Sequence, residues 1–589
     1  MRLPRFLRGS ALLGAWIFVA CALLASTPTA AGSAYNAHPK LVVIIVIDQF
    51  RGDYLERYRD QFVEGGFRVF LERGAYFTDC NYDYANTRTA PGHATLFTGS
   101  YTSGHGIVAN EWWDPQKKKL VTSVEDDATK LVGIDSTGPG ASPHNLLSDT
   151  LGDELKLATS GKARVFAVSL KDRAAILPGG FSADGAYWID GKSGAWISST
   201  YYRDDLPEWV QNFNSSHRTE KFWNREWKDA EGNTLGSTAP RTSRDGKPAG
   251  FYEVIGSTPF ANEYQLEFAK ELVLYEKLGA GPVTDLLVVS LSANDILGHG
   301  VGPDSPQMRS MALELDRQLA EFIGFLGHQI GMANVWMALS ADHGIAPLPD
   351  FAKTLRLPAA NLDGKALREQ INSLLSKKYG KKADYLVEFD YPLAWLNEEA
   401  FAGAGRKEAD AEADAGESMK QADSSTPCHP ERSRAMNEVN GSAQSKSLPR
   451  ASRGDPYSCT ARLSGYFTKW QLAHGEAPGT EMGRRYAHSY SPVGGWYVMG
   501  VPNPFQVGIT KGTDHATPFS YDTHVPLALY GLAFQPGIYR THAEPIDLAV
   551  TFASLLGINA PAQATGRVLT EALAPAHRLV APSAVGGTQ

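Results

Sequence analysis

The sequence predicts an α/β protein with a doubly wound, mostly parallel sheet flanked by helices, and three observations carry that prediction. Four short runs rich in Val, Ile and Leu, at Leu41 to Ile47, Val165 to Leu170, Leu286 to Leu291 and Val335 to Ser340, have the length and apolar continuity of strands covered on both faces. Between them lie helical patterns, and strand-helix alternation of this kind builds a parallel sheet. Each run is followed at once by polar, titratable residues: Asp48, then Lys171 and Arg173, then Asp295 and His299, then Asp342 and His343. In such sheets ligands bind at the carboxyl ends of the strands, so four coincident polar edges mark a site.

The elements follow in chain order. Arg2, Arg5 and Arg8 precede an apolar run from Ala11 to Ala25 and a small-residue stretch from Ser26 to Ala34, the layout of a secretory signal peptide cut near Ala31. The apolar run, about 15 residues, is shorter than the roughly 20 that span a bilayer, so a permanent anchor is the weaker alternative, as is lipidation of Cys21. After Asp48, the Tyr54, Leu55, Tyr58, Phe62 spacing reads as a helical face ended at Gly65-Gly66. A second helix follows from Phe67 to Arg73, then a strand from Ala75 to Thr78 and a loop from Asn81 to Gly92. Met308, Met311, Leu315, Leu319, Phe322 and Leu326 form one apolar stripe of a long helix after Ser305-Pro306.

Two stretches break the alternation. Residues 187–264 scatter Trp188, Trp196, Trp209, Trp223 and Trp227 among Asn, Ser, Gly and Pro, and read as an inserted cap whose tryptophans serve ordinary packing before ligand binding. Residues 403–456 are nearly free of aliphatic side chains and without period, which predicts a disordered insertion. The catalytic domain is therefore expected over residues 40–589, with both insertions inside it.

Composition narrows the function classes. With 43% hydrophobic and 20% charged residues the chain is globular, and a net charge of -8 without a basic stripe excludes a nucleic-acid scaffold as partner. The mature chain would keep Cys80, Cys428 and Cys459, too few and too sparse for a disulfide framework, although Cys428 and Cys459 can pair. No CxxC occurs, so thiolates are poor candidates for metal ligands.

Asp295 and His299, four apart, share a helix face; Asp342-His343-Gly344 follows a buried strand; Asp48 ends the most hydrophobic one. Carboxylates buried there need a cation or hydrogen-bond partners. Oxygen and imidazole donors without sulfur fit zinc, with manganese or iron as alternatives, and do not suit an all-oxygen calcium or magnesium cage. Thr89, on a Pro91-Gly92 turn, supplies a hydroxyl beside them. His93 and His105 read as structural hydrogen-bonding residues, and Thr87 is a second candidate nucleophile.

Taken in order, Thr89-Ala90-Pro91-Gly92-His93-Ala94-Thr95, His105-Gly106-Ile107-Val108-Ala109-Asn110, Lys171-x-Arg173, Asp295-x-x-x-His299 and Asp342-His343-Gly344 resemble the threonine-nucleophile bacterial alkaline phosphatases. These form a branch of the alkaline phosphatase superfamily near the nucleotide pyrophosphatase/phosphodiesterases. The resemblance runs from Leu41 to about Leu569 and implies two zinc ions per chain. One is held by Asp295, His299 and His515, the other by Asp48, Asp342 and His343, with Thr89 as nucleophile and metal neighbour. His515, in Gly512-Thr513-Asp514-His515, has a rival in His524.

The resemblance further implies hydrolysis of phosphate monoesters through a phosphothreonine, with Asn110, Lys171 and Arg173 as donors to the phosphoryl oxygens. In the family the K-x-R pair accompanies monoesterase activity, and a diester masks one of the oxygens such cations grip. Phosphodiesterase or nucleotide pyrophosphatase chemistry on the same site is the alternative; a catalytically silent binding protein using the tryptophan-rich cap is a third reading. The motif departs from the C/S-x-P-x-R of sulfatases. Small-molecule phosphate esters as partners, a monomer without membrane anchor after signal cleavage, and a periplasmic or secreted location complete the expectation.

Overall fold

The computed structural model describes residues 38–243, 246–422 and 463–575. The signal segment 1–31, Cys21, Cys428 and Cys459 with their pairing, and residues 423–456 of the insertion lie outside the described residues.

The sheet strands are β1 (Leu41–Ile47), β2 (Ala75–Phe77), β3 (Leu131–Val132), β4 (Val165–Ser169), β5 (Gly185–Ile189), β6 (Trp196–Ser199), β7 (Asp285–Leu291), β8 (Val335–Ser340), β9 (Leu386–Asp390), β10 (Leu393–Leu396), β11 (Gly465–Thr468), β12 (Tyr497–Val501), β13 (Leu527–Tyr530) and β14 (Gly537–Tyr539). Ten of them form one sheet in the order β14-β2-β13-β8-β1-β7-β4-β5-β6-β3. The middle five, β8 to β5, are parallel, while β13 and β6 run antiparallel to their inner neighbours, so the sheet is mixed. All four predicted apolar runs are strands of this centre, and every residue of β1, β7 and β8 is buried.

Register brings the functional ends level. Ile47 pairs with Leu291 and Val46 with Ser340, so the residues that follow each strand emerge at one edge. The long stripe helix runs from Pro306 to Gln329, with Ser305 capping the Met308 N–H at 3.1 Å and all six predicted stripe residues buried. The helix Phe67–Arg73 is as expected; the Tyr54 face is broken into Tyr54–Arg57 and a 3₁₀ turn, Arg59–Gln61.

Three expectations need correction. The Pro91-Gly92 pair is not a turn but lies in the first turn of the helix Thr89–Thr98, where proline's missing N–H has no intrahelical partner to lose. The sheet extends into the tryptophan-rich region: Trp188 lies in β5 and Trp196 in β6, short aromatic strands without the alternation that flags longer ones. Tryptophans of this region pack as core, Trp196 stacking on Phe268 at 3.9 Å and Trp227 donating to Ser310 Oγ at 3.1 Å.

The third correction concerns the acidic insertion, whose first part is ordered. Residues Glu408–Gln421 form a helix, with Ala411, Glu412, Ala415 and Met419 buried. Its apolar stripe, made of small residues at four-residue spacing, is too thin to register as hydrophobic yet allows a close approach to β11: a Cβ on Gly416 would meet the Tyr466 ring at 2.3 Å. This helix belongs to an accessory module built on the antiparallel sheet β9-β10-β12-β11.

Candidate active site

At the carboxyl edge of the parallel strands the chain turns abruptly. Gln49 takes φ 64°, Phe50 N–H returns to Ile47 O, and Asp48 is left pointing off the end of β1. After β7 the helix Ala293–Val301 places Asp295 and His299 on one face, with His299 Nε2 3.1 Å from Asp295 Oδ1. Asp342 and His343 follow β8 directly. His515 arrives from a distant loop held by Ala516 N–H on Thr87 O and by Thr513 N–H on His299 O.

Two triads result, Asp48-Asp342-His343 and Asp295-His299-His515, each with its potential ligand atoms within 4.8 Å of one another. They share a wall: the His343 and His515 rings stack at 3.8 Å. The first triad is fully buried, whereas the His299 side chain is 35% exposed and opens the second to solvent.

The donor set fits divalent metal ions. All three histidines turn Nδ1 to a backbone carbonyl: His343 to Gly344 O at 2.9 Å, His299 to Thr513 O at 3.0 Å, His515 to Thr87 O at 2.7 Å. Each can therefore donate from Nδ1 and turn Nε2 inward as the atom that would take a metal ion. Asp48 Oδ1 and His343 Nε2 are buried without a hydrogen-bond partner, and Asp342 Oδ2 has His93 Nδ1 at 3.2 Å. Buried acceptors facing one another at 3.5 Å, as Asp48 Oδ1 and His343 Nε2 do, call for a cation. Cys80, the one cysteine among the described residues, is buried away from both triads.

Lys171 sits between the triads. Its ammonium donates to Asp48 Oδ2 at 2.7 Å and Asp295 Oδ2 at 2.5 Å, and Thr89 Oγ1 is 3.5 Å away. Burial works against its charge, but Asp295 and Asp48 outweigh that and raise it above the ordinary lysine value. Burial would also raise Asp295; Lys171 and His299 reverse this and hold it well below the usual carboxylate range. Burial and the two neighbouring carboxylates lift Asp48 instead. His299 is pushed up to about 10, burial being overcome by Asp295, while burial, His343 and His299 drive His515 down.

Thr89 opens the helix Thr89–Thr98; Ala90 N–H is taken by Asn110 Oδ1, Pro91 has none and Gly92 N–H bonds Arg88 O, so what the helix start brings to the site is the positive end of its dipole rather than a row of free N–H groups. Gly92 allows that helix to touch the end of β8, since a Cβ there would lie 2.2 Å from Asp342 O. Asn110 Oδ1 accepts from Ala90 N–H at 2.8 Å, which leaves the Nδ2 hydrogens as donors. Arg173 lies on the helix Asp172–Gly179; its Nε is buried and unpartnered, and its nearest carboxylate contact is Asp172 Oδ1 at 3.6 Å. The two cations thus differ: Lys171 is tied to carboxylates and Arg173 keeps its fork open.

The competing candidates are placed elsewhere. His524 Nε2 faces Thr78 O at 3.1 Å, and Thr87 Oγ1 donates to Thr517 O at 3.1 Å, so neither enters the triads. His93 bridges Thr89 O and Ser290 Oγ, and His105 bonds Thr95 Oγ1 and Ile107 N–H.

Sequence reasoning missed several partners. Gln49 donates from its backbone to Asp342 Oδ1 at 3.0 Å and from Nε2 to Asp295 Oδ1 at 2.7 Å; Asn294 donates to Asp48 O at 3.0 Å. Tyr252, from the tryptophan-rich region, lies in the field of Lys171 and Arg173. Adjacency to Asp48 and Asp295 was the available signal for the first two; nothing local marks Tyr252.

Known proteins resemble this chain along most of its length. The family described as type I phosphodiesterase / nucleotide pyrophosphatase matches residues 42–442. The chain is 33% identical over 557 residues, 91% of its length and 95% of the relative's, to a Myroides odoratus protein named calcium-transporting ATPase. It is 32% identical over 557 residues to alkaline phosphatase PhoV of Synechococcus elongatus, covering 91% of this chain and 93% of that one. The crystal structure of wild-type alkaline phosphatase PafA superposes with a TM-score of 0.74 at 29% identity, over 91% of this chain and 99% of that chain. The chain belongs to the type I phosphodiesterase / nucleotide pyrophosphatase family of the alkaline phosphatase superfamily, alongside the bacterial alkaline phosphatases.

Proposed function

We propose that this chain is an alkaline phosphatase, hydrolysing phosphate monoesters by way of a phosphothreonine at Thr89. The observation that carries the reading is the convergence of two carboxylate-imidazole triads on the N-terminus of the helix that starts at Thr89. Relatives named alkaline phosphatase, matched over nine-tenths of the chain, support the enzyme class. A PafA structure with replaced threonine, asparagine, lysine and arginine supports the roles of Thr89, Asn110, Lys171 and Arg173, which follow in that order with nearly the same spacing.

Asp48, Asp342 and His343 would hold one divalent ion and Asp295, His299 and His515 another, zinc being the ion that suits oxygen and nitrogen donors. Paired ions supply charge stabilisation at both the attacking and the leaving oxygen of an in-line displacement. The protein's part is orientation. The helix N-terminus and Asn110 Nδ2 face the phosphoryl group, and Arg173 offers a planar fork to two of its oxygens. Thr89 Oγ attacks phosphorus, forming the Thr89 O–P bond as the ester P–O bond breaks and the alcohol leaves. Water then cleaves the phosphothreonine and restores the hydroxyl.

The open second triad would admit the ester's alcohol side, with small-molecule esters as substrates. Export suits the layout of the N-terminal segment, which lies outside the described residues; among the described residues no helix is long and apolar enough to cross a membrane. Trapping at low pH followed by mass spectrometry should find phosphate on Thr89 after brief exposure to an aryl phosphate. A modified Thr87, or no modification during turnover, would contradict this reading. The family's name favours a second reading, diester cleavage at the same site, and comparison of an aryl monophosphate with its methyl diester decides between them.

A further inference from the structure

The segment leading into the proposed nucleophile is extended, Arg88 having φ -132° and ψ 162°, so successive side chains point to opposite sides. Thr87 faces the His515 loop: its carbonyl accepts from His515 Nδ1 at 2.7 Å, and its hydroxyl receives Thr517 N–H at 3.1 Å. Asn86 and Arg88 face the other way. Arg88 is charged yet only 6% exposed, and it makes no bond to either triad. Its guanidinium is spent on three residues: Nε donates to Asn86 Oδ1 at 2.8 Å, Nη1 pairs with Asp390 at the end of β9, and Nη2 donates to Asp390 O at 3.2 Å and Tyr391 O at 3.4 Å.

Asn86 continues the chain of bonds, its Nδ2 donating to Val108 O. Two residues later, Asn110 Oδ1 accepts from Ala90 N–H. A closed ring of contacts therefore runs from Arg88 through Asn86 and Val108 to Asn110 and back to Ala90, with Thr89 inside it. The accessory module reinforces the same segment, Ser489 Oγ accepting from Ala85 N–H at 2.7 Å.

We propose that Arg88 is a positioning residue for phosphoryl transfer: anchored on Asp390 of the accessory module, it sets through Asn86 the separation between Thr89 and Asn110. The proposal rests on the functional reading above for its kinetic arm. A planar fork is needed because one side chain must serve Asn86 and Asp390 in different directions, which a lysine's single nitrogen does not do. Small displacements of a nucleophile are costly, on the order of 10²-fold for about 1 Å.

The test is a double-mutant cycle in the metal-loaded full-length protein, with kcat and KM read separately on an aryl monophosphate. Arg88→Lys should keep melting temperature and metal content while lowering kcat on the order of 10²-fold. Asp390→Asn should cost about tenfold, since it loosens the anchor but leaves the Asn86 bond. In an Asn110→Ala background, Arg88→Lys should cost little more, because the gap it sets has already lost one side. Multiplying losses, or a loss confined to KM, would overturn the proposal. Amide hydrogen exchange across residues 86–92 supplies an arm that needs no substrate: it should quicken in Arg88→Lys and not at β8. Unchanged exchange there overturns the positioning role, whereas a wild-type chain inert on the monoester overturns the functional reading alone.

Discussion

Buried acids are treated differently at the two sheets of this molecule. At the edge of the large sheet, Asp295 and Asp342 are buried beside cations and imidazoles that hold them below the ordinary carboxylate range, and Lys171 joins Asp48 to Asp295. In the accessory module, Glu412 is fully buried, its Oε2 accepting from Trp470 N–H at 2.8 Å and its Oε1 unpartnered. Burial, with Glu408 nearby, pushes it up to about 8, so it is a neutral acid where Asp295 and Asp342 are charges. The first region spends folding energy to keep charge ready for a ligand, and the second avoids charge and serves packing. Changes in the first should show in turnover, changes in the second in stability.

The sharpest separation is expected from Thr89→Ala, which should lower kcat/KM for an aryl phosphate by at least about 10³-fold while bound metal is unchanged. Retained activity would remove the nucleophile assignment. His515→Ala should bind about one metal ion fewer by elemental analysis and His524→Ala none fewer, because only the former reaches Asp295 and His299. The reverse result would break the second triad.

Arg173→Ala should reduce monoester turnover by on the order of 10 to 10²-fold, one or two charge-assisted bonds, and diester turnover much less. Lys171→Ala should harm both esters, since its ammonium serves the carboxylates. Equal sensitivity of the two esters to Arg173→Ala would favour the diesterase reading.

On the packing side, Met419→Ala should cost about 2–5 kcal/mol in chemical denaturation and leave kcat/KM within about twofold. A matching loss of activity would dissolve the division between the regions.

The smallest effect is a pH dependence. Glu412 ionises near 4.5 when exposed and near 8 when folded. Between those values the unfolded chain holds fewer protons than the folded one, so this residue's contribution to stability falls as pH rises through that window. The difference in melting temperature between Glu412→Gln and wild type should therefore grow in the variant's favour from pH 5 to pH 8. A constant difference would mean that Glu412 is ionised in the fold.

The large sheet and its edge were legible because burial on both faces forces continuous Val, Ile and Leu runs, and titratable residues straight after β1, β4, β7 and β8 have no packing reason to be there. All six triad residues were named from that pattern and the resemblance together. The helix Glu408–Gln421 was misread because alanine and methionine at four-residue intervals carry its packing beneath an acidic composition. Strands β5 and β6 were hidden by their shortness. Arg88 and Gln49 were overlooked because their roles depend on partners hundreds of residues away, Asp390 and Asp342, which no local spacing reveals.

The contact at Gly92 has a consequence for how such a site can change. Only a hydrogen fits between the nucleophile's helix and the Asp342 carbonyl, so main chain rests on main chain there. The distance from position 89 to the ends of β1 and β8 is then a property of backbone contact, indifferent to which hydroxyl or thiol stands at that position. An exchange of Thr89 for serine would inherit the same line of approach, whereas any side chain at position 92 would shift every group on the helix together. Reactivity in this architecture is portable in one residue, and the geometry that makes it useful is not.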